Sequence, residues 1–187
     1  MPTNPNRKVL ILDRDGVINL DSDAFIKTPD EWVPIPGSLE AIARLNQAGY
    51  RVAVASNQSG IGRGLFDMTA LNAMHAKMHR LVAAAGGRID AVFFCPHTAE
   101  DRCECRKPKP GLLRTIAERF EIEPADTPVV GDALRDLEAG AALGFPTHLV
   151  RTGKGEKTLA AGGLPEGTQV HDDLRGFALD FLANMPG

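Results

Sequence analysis

The chain has 187 residues, a formal net charge of -3 at pH 7, 43% hydrophobic and 24% charged residues. These proportions exclude a disordered or fibrous protein and fit one globular domain over residues 1–187 with its own core. The negative balance removes the broad basic surface that nucleic-acid and anionic-membrane binders use, so neither partner is expected, and an anionic ligand must meet local cations. The start, Met1 to Lys8, has no apolar stretch of a secretory signal, and no later run reaches transmembrane length. A cytoplasmic monomer is the expectation.

Val9-Leu10-Ile11-Leu12 is an apolar run that ends abruptly in charge, which predicts a central strand delivering its C-terminal end to a site. Ser38 is placed to cap a helix with Leu39, Ile42 and Leu45 on one face and Gly49 at its end. Residues 51–56 read as a second strand. A glycine-rich loop, 60–64, leads to a helix over about 69–85 with Leu71, Met74, Met78, Leu81 and Val82 at helical spacing, stopped by Gly86-Gly87. A third strand over 89–94 precedes a loop rich in Cys, Pro and basic residues, then a helix containing Leu112, Leu113, Ile116 and Phe120. The fourth strand is 128–131, followed by a helix over 134–143, a strand over 147–150, a glycine-rich segment and a last helix near 174–182. Strands alternating with helices, each strand apolar throughout, predict an α/β, doubly wound, Rossmann-like domain with a mostly parallel sheet. Such sheets bind ligands at the C-terminal ends of their strands, beside the point where strand order reverses.

The polar residues fall at those ends. Asp13-Arg14-Asp15-Gly16 follows strand one, and two carboxylates two residues apart can share a crevice while Gly16 permits a tight turn. One carboxylate can attack phosphorus while the other moves a proton; such pairs also cap helices or face solvent. Ser56-Asn57-Gln58-Ser59 offers a hydroxyl, amides and backbone donors for phosphate oxygens, or forms an ordinary polar turn. Arg106-Lys107-Pro108-Lys109 supplies the positive charge a transferring phosphoryl group requires, unless it is merely a solvated loop. Gly131-Asp132 can add a hard oxygen ligand for Mg²⁺, or Asp132 is a helix N-cap.

Together these four segments resemble the motifs of the haloacid dehalogenase superfamily of phosphohydrolases, over nearly all of the chain up to about Val150. The resemblance implies Asp13 as nucleophile, Asp15 as general acid/base, Ser56 as the second-motif residue, a lysine in Arg106-Lys107 (Lys109 being the weaker choice) and Asp132 as the fourth. It also implies Mg²⁺ held by Asp13, the Asp15 carbonyl oxygen and Asp132. Between Asp15 and Ser56 there is room for one helix but not for an inserted cap domain. Specificity then falls to the loops 20–34, 60–66 and 95–109. The Gly60-Ile61-Gly62-Arg63-Gly64 loop has the wrong placement for a dinucleotide fingerprint and reads as a flexible turn presenting Arg63.

Cys95-Pro96-His97 and Cys103-Glu104-Cys105 place three sulfurs and one imidazole in a short loop, a full tetrahedral zinc set with no open position. The other reading is three buried cysteines near a surface histidine. His75 and His79, four apart on a helix without an acidic partner, read as boundary or exposed residues, and His148 and His171 sit in no motif. The cluster followed by the basic loop resembles the capless, zinc-loop branch of the superfamily, whose members hydrolyse heptose bisphosphate or histidinol phosphate. By that resemblance the substrate is a small phosphorylated sugar, heptose 1,7-bisphosphate losing its C7 phosphate, with histidinol phosphate or another small monoester as the alternative. It further implies phosphoryl contacts from Ser56, Arg106 and Lys107, and a substrate site lined by Asp21, Ser22, Asp23, Ala24, Asn57, Gln58, Ser59 and Arg63. A catalytically silent zinc-stabilised binding module would have lost one of the four motifs. One departure stands out: relatives often carry lysine directly after the fourth-motif aspartate, where this chain has Ala133.

Overall fold

The computed structural model describes residues 8–185, and the reading of residues 1–7 as free of a signal sequence lies outside them. Six strands form one parallel sheet in the order β3-β2-β1-β4-β5-β6. They are β1 (Val9–Leu12), β2 (Arg51–Asn57), β3 (Ala91–Cys95), β4 (Val129–Gly131), β5 (Thr147–Val150) and β6 (Gln169–His171). The helices are α1 (Ser38–Gln47), α2 (Ser59–Gly62), α3 (Met68–Ala84), α4 (Gly111–Phe120), α5 (Leu134–Ala141), α6 (Gly155–Ala161) and α7 (Leu174–Ala183). Strand order runs outward from β1 in both directions, so the switch point lies between β1 and β4, where Asp13 and Asp132 leave the sheet. Among the described residues no helix is long and apolar enough to cross a membrane.

Alternation along β1 explains why a four-residue run centres the fold. Leu10 and Leu12 pack with Ile42, Leu45, Met74, Met78 and Phe177 on one face of the sheet. Val9 and Ile11 pack with Leu113, Ile116 and Ala139 on the other. Period-two alternation thus feeds two cores, each fully buried side chain worth about 2 kcal/mol. Between Asp15 and Ser56 the chain forms α1 and a loop, with no added domain. That loop is tied down: Trp32 is buried in the core, and the Lys77 ammonium on α3 donates to the carbonyls of Pro29 and Trp32 at 2.6 and 2.8 Å.

Several local expectations need correction. Ser38 does not cap α1; Gly37, with φ 86°, holds the cap position, and the Ser38 hydroxyl instead donates to the Val17 carbonyl at 3.0 Å. Strand three begins at Ala91 rather than Ile89 and extends to Cys95. The 60–64 segment is not a flexible turn, because α2 makes one helical turn over Ser59–Gly62. Its glycines are needed for packing, since a Cβ at Gly60 would strike the Phe66 ring and one at Gly62 would crowd the Pro96 carbonyl. The glycine-rich stretch after β5 contains both α6 and β6, neither expected.

The β5–β6–α7 corner buries titratable groups. His148 lies 3.1 Å (Nδ1 to Nε2) from His171, whose Nδ1 is 2.9 Å from Asp180 Oδ2, and Phe177 packs edge-on against both rings. Burial, reinforced by His171, pushes His148 down to about 4. The folded chain therefore keeps His148 neutral where the unfolded chain, titrating near 6.5, is protonated. Its contribution to stability is complete above pH 6.5 and is lost as pH falls toward 4, by about 3 kcal/mol. Urea midpoints at pH 7 and 4.5 for wild type and His148→Phe measure this. The substitution should flatten the pH dependence, and an unchanged slope would remove His148 as its source.

Candidate active site

Each strand end around the switch point contributes one part. β1 delivers Asp13, 5% exposed, with Oδ1 accepting from the Arg14 backbone N–H at 2.8 Å. Gly16 turns the chain away with φ 84°; a Cβ there would land on the Asp132 carboxylate, so no other residue lets β1 and β4 deliver their acids side by side. Asp13, Asp132 and Asp136 each have an oxygen within 4.8 Å of the others, all three residues buried. The charges there are unbalanced: burial, with Asp136 beside it, pushes Asp13 up to about 6 despite Lys107 and Arg135, and burial with Asp13 and Asp136 pushes Asp132 up to about 8.

The three acids differ in their partners: Asp13 Oδ1 meets the Lys107 ammonium and Asp136 Oδ1 pairs with it, whereas Asp132 has no cation within ion-pairing distance among the described residues. Asp136 accepts from the Ala133 N–H at 3.1 Å and pairs with the Lys107 ammonium at 2.7 Å. Asp132 Oδ2 accepts from the Lys154 N–H at 2.8 Å, but its Oδ1 is buried with no hydrogen-bond partner. A buried carboxylate oxygen left bare beside a second carboxylate is the donor set a hard divalent cation takes, so these residues fit Mg²⁺. Asp132 is not a helix N-cap; Ala133 occupies that position of α5.

Lys107 stands over Asp13. Its ammonium, on a residue 3% exposed, lies 3.1 Å from Asp13 Oδ1 and donates to the Ala55 carbonyl at 2.6 Å. Burial would lower its proton affinity, but Asp13 and Asp136 outweigh that and raise it. Asn57 holds the loop in place by a reciprocal pair of 3.0 Å bonds with the Lys107 backbone. Lys109 instead pairs with Glu104 at the surface.

Asp15 points away from the three-acid cluster into a different set of donors. The Arg14 guanidinium grips it as a fork, Nε and Nη2 to Oδ1 at 3.0 and 2.9 Å and Nη2 to Oδ2 at 3.0 Å. Asn19 donates to Oδ1 at 2.8 Å. Gln58 donates to Oδ2 at 2.9 Å and to the Ser56 hydroxyl at 2.7 Å, tying β1 to β2. Burial alone would raise the Asp15 carboxyl, yet the Arg14 charge and these bonds hold it below the usual range.

A cavity above these groups is lined by Asp13, Asp15, Asp21, Ser22, Asp23, Asn57, Gln58, Ser59, Arg63 and Arg106 among the residues expected from sequence. Phe25, Ile26, Arg135 and Lys154 line it too, and sequence reasoning missed them. Ser56, Lys107 and Asp132 lie buried beside or beneath it. Ala24 is exposed outside the lining; its N–H donates to the Ser22 hydroxyl in a turn. Arg63 rests 6.0 Å from the Phe25 ring centroid, and Lys154 reaches Asp21 at 3.3 Å. The segment after β5 braces the site, with the Thr152 hydroxyl donating to the Gly16 carbonyl at 2.7 Å and Gly153 passing so close to Asp132 that a Cβ would collide.

The Cys/His loop closes into a cage. Sulfur separations are 3.1 Å for Cys95–Cys105 and 3.6 Å for both Cys95–Cys103 and Cys103–Cys105. His97 Nδ1 lies 3.5 and 3.3 Å from Cys95 and Cys105. A tetrahedron with metal–sulfur bonds of about 2.3 Å has edges of about 3.7 Å, so four donors already sit at nearly the spacing of a structural zinc site. His75 is half-buried and His79 exposed on α3, as boundary residues.

An acidic cluster under a lysine, at the switch point of a parallel sheet, defines a hydrolase site that works on phosphate esters. The chain belongs to the haloacid dehalogenase-like hydrolases, whose family model matches residues 4–144. It is 59% identical over 175 residues to the D-glycero-beta-D-manno-heptose-1,7-bisphosphate 7-phosphatase of Bordetella bronchiseptica, covering 94% of this chain and 98% of that one. Identity to the Pseudomonas aeruginosa enzyme of the same name is 56%, over 95% and 99% of the two chains. The crystal structure of the B. bronchiseptica D,D-heptose 1,7-bisphosphate phosphatase, complexed with magnesium and phosphate, superposes with a TM-score of 0.94 at 58% identity, covering 95% and 99%. That of Burkholderia thailandensis is 68% identical, with a TM-score of 0.77 over 95% and 99%.

Proposed function

We propose that this chain is a magnesium-dependent phosphatase that removes the C7 phosphate from D-glycero-D-manno-heptose 1,7-bisphosphate, leaving heptose 1-phosphate. The observation that carries the chemistry is Asp13 held 3.1 Å from the buried Lys107 ammonium, beside the unpartnered Oδ1 of Asp132. The substrate follows from relatives that match nearly the whole chain.

In this reading an Asp13 carboxylate oxygen attacks phosphorus, and Asp15 gives its proton to the departing alkoxide as the P–O bond breaks. Asp15 then takes a proton from the water that attacks the aspartyl phosphate. Lys107 neutralises the equatorial oxygens, and Asp136 and Asn57 keep it there. Asp15 is ionised in the free chain, which suits the second step. An arriving phosphate dianion raises its proton affinity, which suits the first. Asp13, Asp132 and the Asp15 carbonyl oxygen would hold Mg²⁺, which when bound offsets the repulsion between carboxylate and phosphate. Cys95, His97, Cys103 and Cys105 would hold a structural Zn²⁺ that orders Arg106 and Lys107. On this reading the protein acts as a monomer in the cytoplasm on a small phosphorylated sugar.

The C7 phosphate is a primary ester on a flexible arm and can reach down to Asp13 while the ring stays outside. Arg63, Arg106, Arg135 and Lys154 at the cavity wall are then available to the C1 phosphate. Binding that remote group helps position the reacting one. Phosphorus NMR of the product, with kinetics on histidinol phosphate alongside, is the test. Loss of the C7 resonance is expected, with a higher kcat/KM on the bisphosphate. Release of the C1 phosphate, or preference for histidinol phosphate, would overturn the substrate.

A further inference from the structure

Arg14 lies within the first motif yet is entirely buried, and it lines no part of the cavity. Its Nε and Nη2 are spent on Asp15. Its remaining nitrogen, Nη1, meets His75 Nε2 at 3.3 Å, from α3 and sixty-one positions away in sequence. A guanidinium has donors only, so His75 Nε2 must be the acceptor and the imidazole must be neutral. Burial and the neighbouring Arg14 charge push His75 down to about 4, in agreement. Phe94 on β3 lies edge-on to the imidazole at 6.4 Å between centroids. The ring thus sits half-buried against a strand.

We propose that His75 is a positioning residue for proton transfer by Asp15, acting through Arg14. With His75 in place each of the three guanidinium nitrogens has an acceptor, and its fork is held on Asp15. Without it, Nη1 is a buried donor with no partner, and the guanidinium can recover an acceptor only by rotating away from the carboxylate. Asp15 would then lose the two parallel bonds that set its direction toward the leaving oxygen. His75 itself neither gives nor takes a proton: the proton passes from Asp15 to the alkoxide, and the electron pair of the broken P–O bond stays on that oxygen.

The inference rests on the aspartyl-phosphate reading above, and the test separates the two. Phosphoenzyme formation is followed by rapid quench with heptose 1,7-bisphosphate, whose alkoxide needs a proton, and with 2,4-dinitrophenyl phosphate, whose leaving group needs none. His75→Leu should slow formation at least about tenfold from the sugar and less than about twofold from the aryl ester, with KM little changed. His75→Gln, whose side-chain carbonyl can accept from Nη1, should recover most of the loss. His75→Ala carries the same expectation as His75→Leu should the latter fail to fold. Equal slowing on both substrates, no slowing on the sugar, or a His75→Gln variant as impaired as His75→Leu would overturn the role of His75. Absence of any label on wild-type Asp13 with the aryl ester would instead remove the covalent intermediate.

Discussion

Asp13→Asn is expected to abolish turnover, by roughly four orders of magnitude or more, while leaving the protein folded. An amide oxygen can still accept from the Arg14 N–H and face Lys107, so the geometry of the site survives. What disappears is the nucleophile. The apo fold should lose nothing and gain slightly, because folding raises the Asp13 carboxyl to about 6 and so works against its charged form at neutral pH. Thermal unfolding without metal should therefore give a Tm at or above wild type. Trapping with labelled substrate should place phosphate on Asp13 of wild type only. A folded Asp13→Asn protein with near-normal activity would end the covalent mechanism.

Removing the metal from the Cys/His cage is expected to cost the most stability. Metal analysis should find one tightly held zinc per chain, distinct from exchangeable magnesium, and little in Cys103→Ser. Structural zinc sites of this composition contribute on the order of 10 kcal/mol to the folding of the segment they close. Residues 95–109 should accordingly lose hydrogen-exchange protection on chelation. Activity should fall with them, because Arg106 and Lys107 follow Cys105 directly in the chain. Equal zinc content in wild type and Cys103→Ser would remove Cys103 from the ligands.

Much of the site could be read in the sequence because parallel strands announce their ends. An apolar run that stops at Asp13 or Asp132 says where those carboxylates must go, and the Cys/His spacing names its own geometry. Asp136 escaped notice although it lies only four residues after Asp132. The only signal was its spacing from Asp132, together with Gly131, where any Cβ would collide with the Asp136 side chain. Arg135 and Lys154 were equally hidden, since an exposed cation and a cavity cation look alike in one dimension. The strand β6 and helix α6 were missed because Gln169–His171 is three residues long and Gly155–Ala161 has a single large apolar side chain. Both are held by tertiary contact rather than by periodicity. Ser38 misled for a related reason: its hydroxyl found a buried carbonyl across the fold and left the cap to a glycine.

The reach of the contacts also sets an order for assembly. Cys105 meets Cys95 across ten positions of chain, whereas Lys107 meets Asp13 across ninety-four. Closing the longer loop costs about 2 kcal/mol more in chain entropy. During synthesis the sulfur cage can thus form as soon as residue 105 emerges, while its neighbour Lys107 must wait for β1 and β2 to dock. The acidic cluster waits longer still, until β4 carries Asp132 into the sheet. A nascent chain halted before β4 would hold its knot but no centre for chemistry.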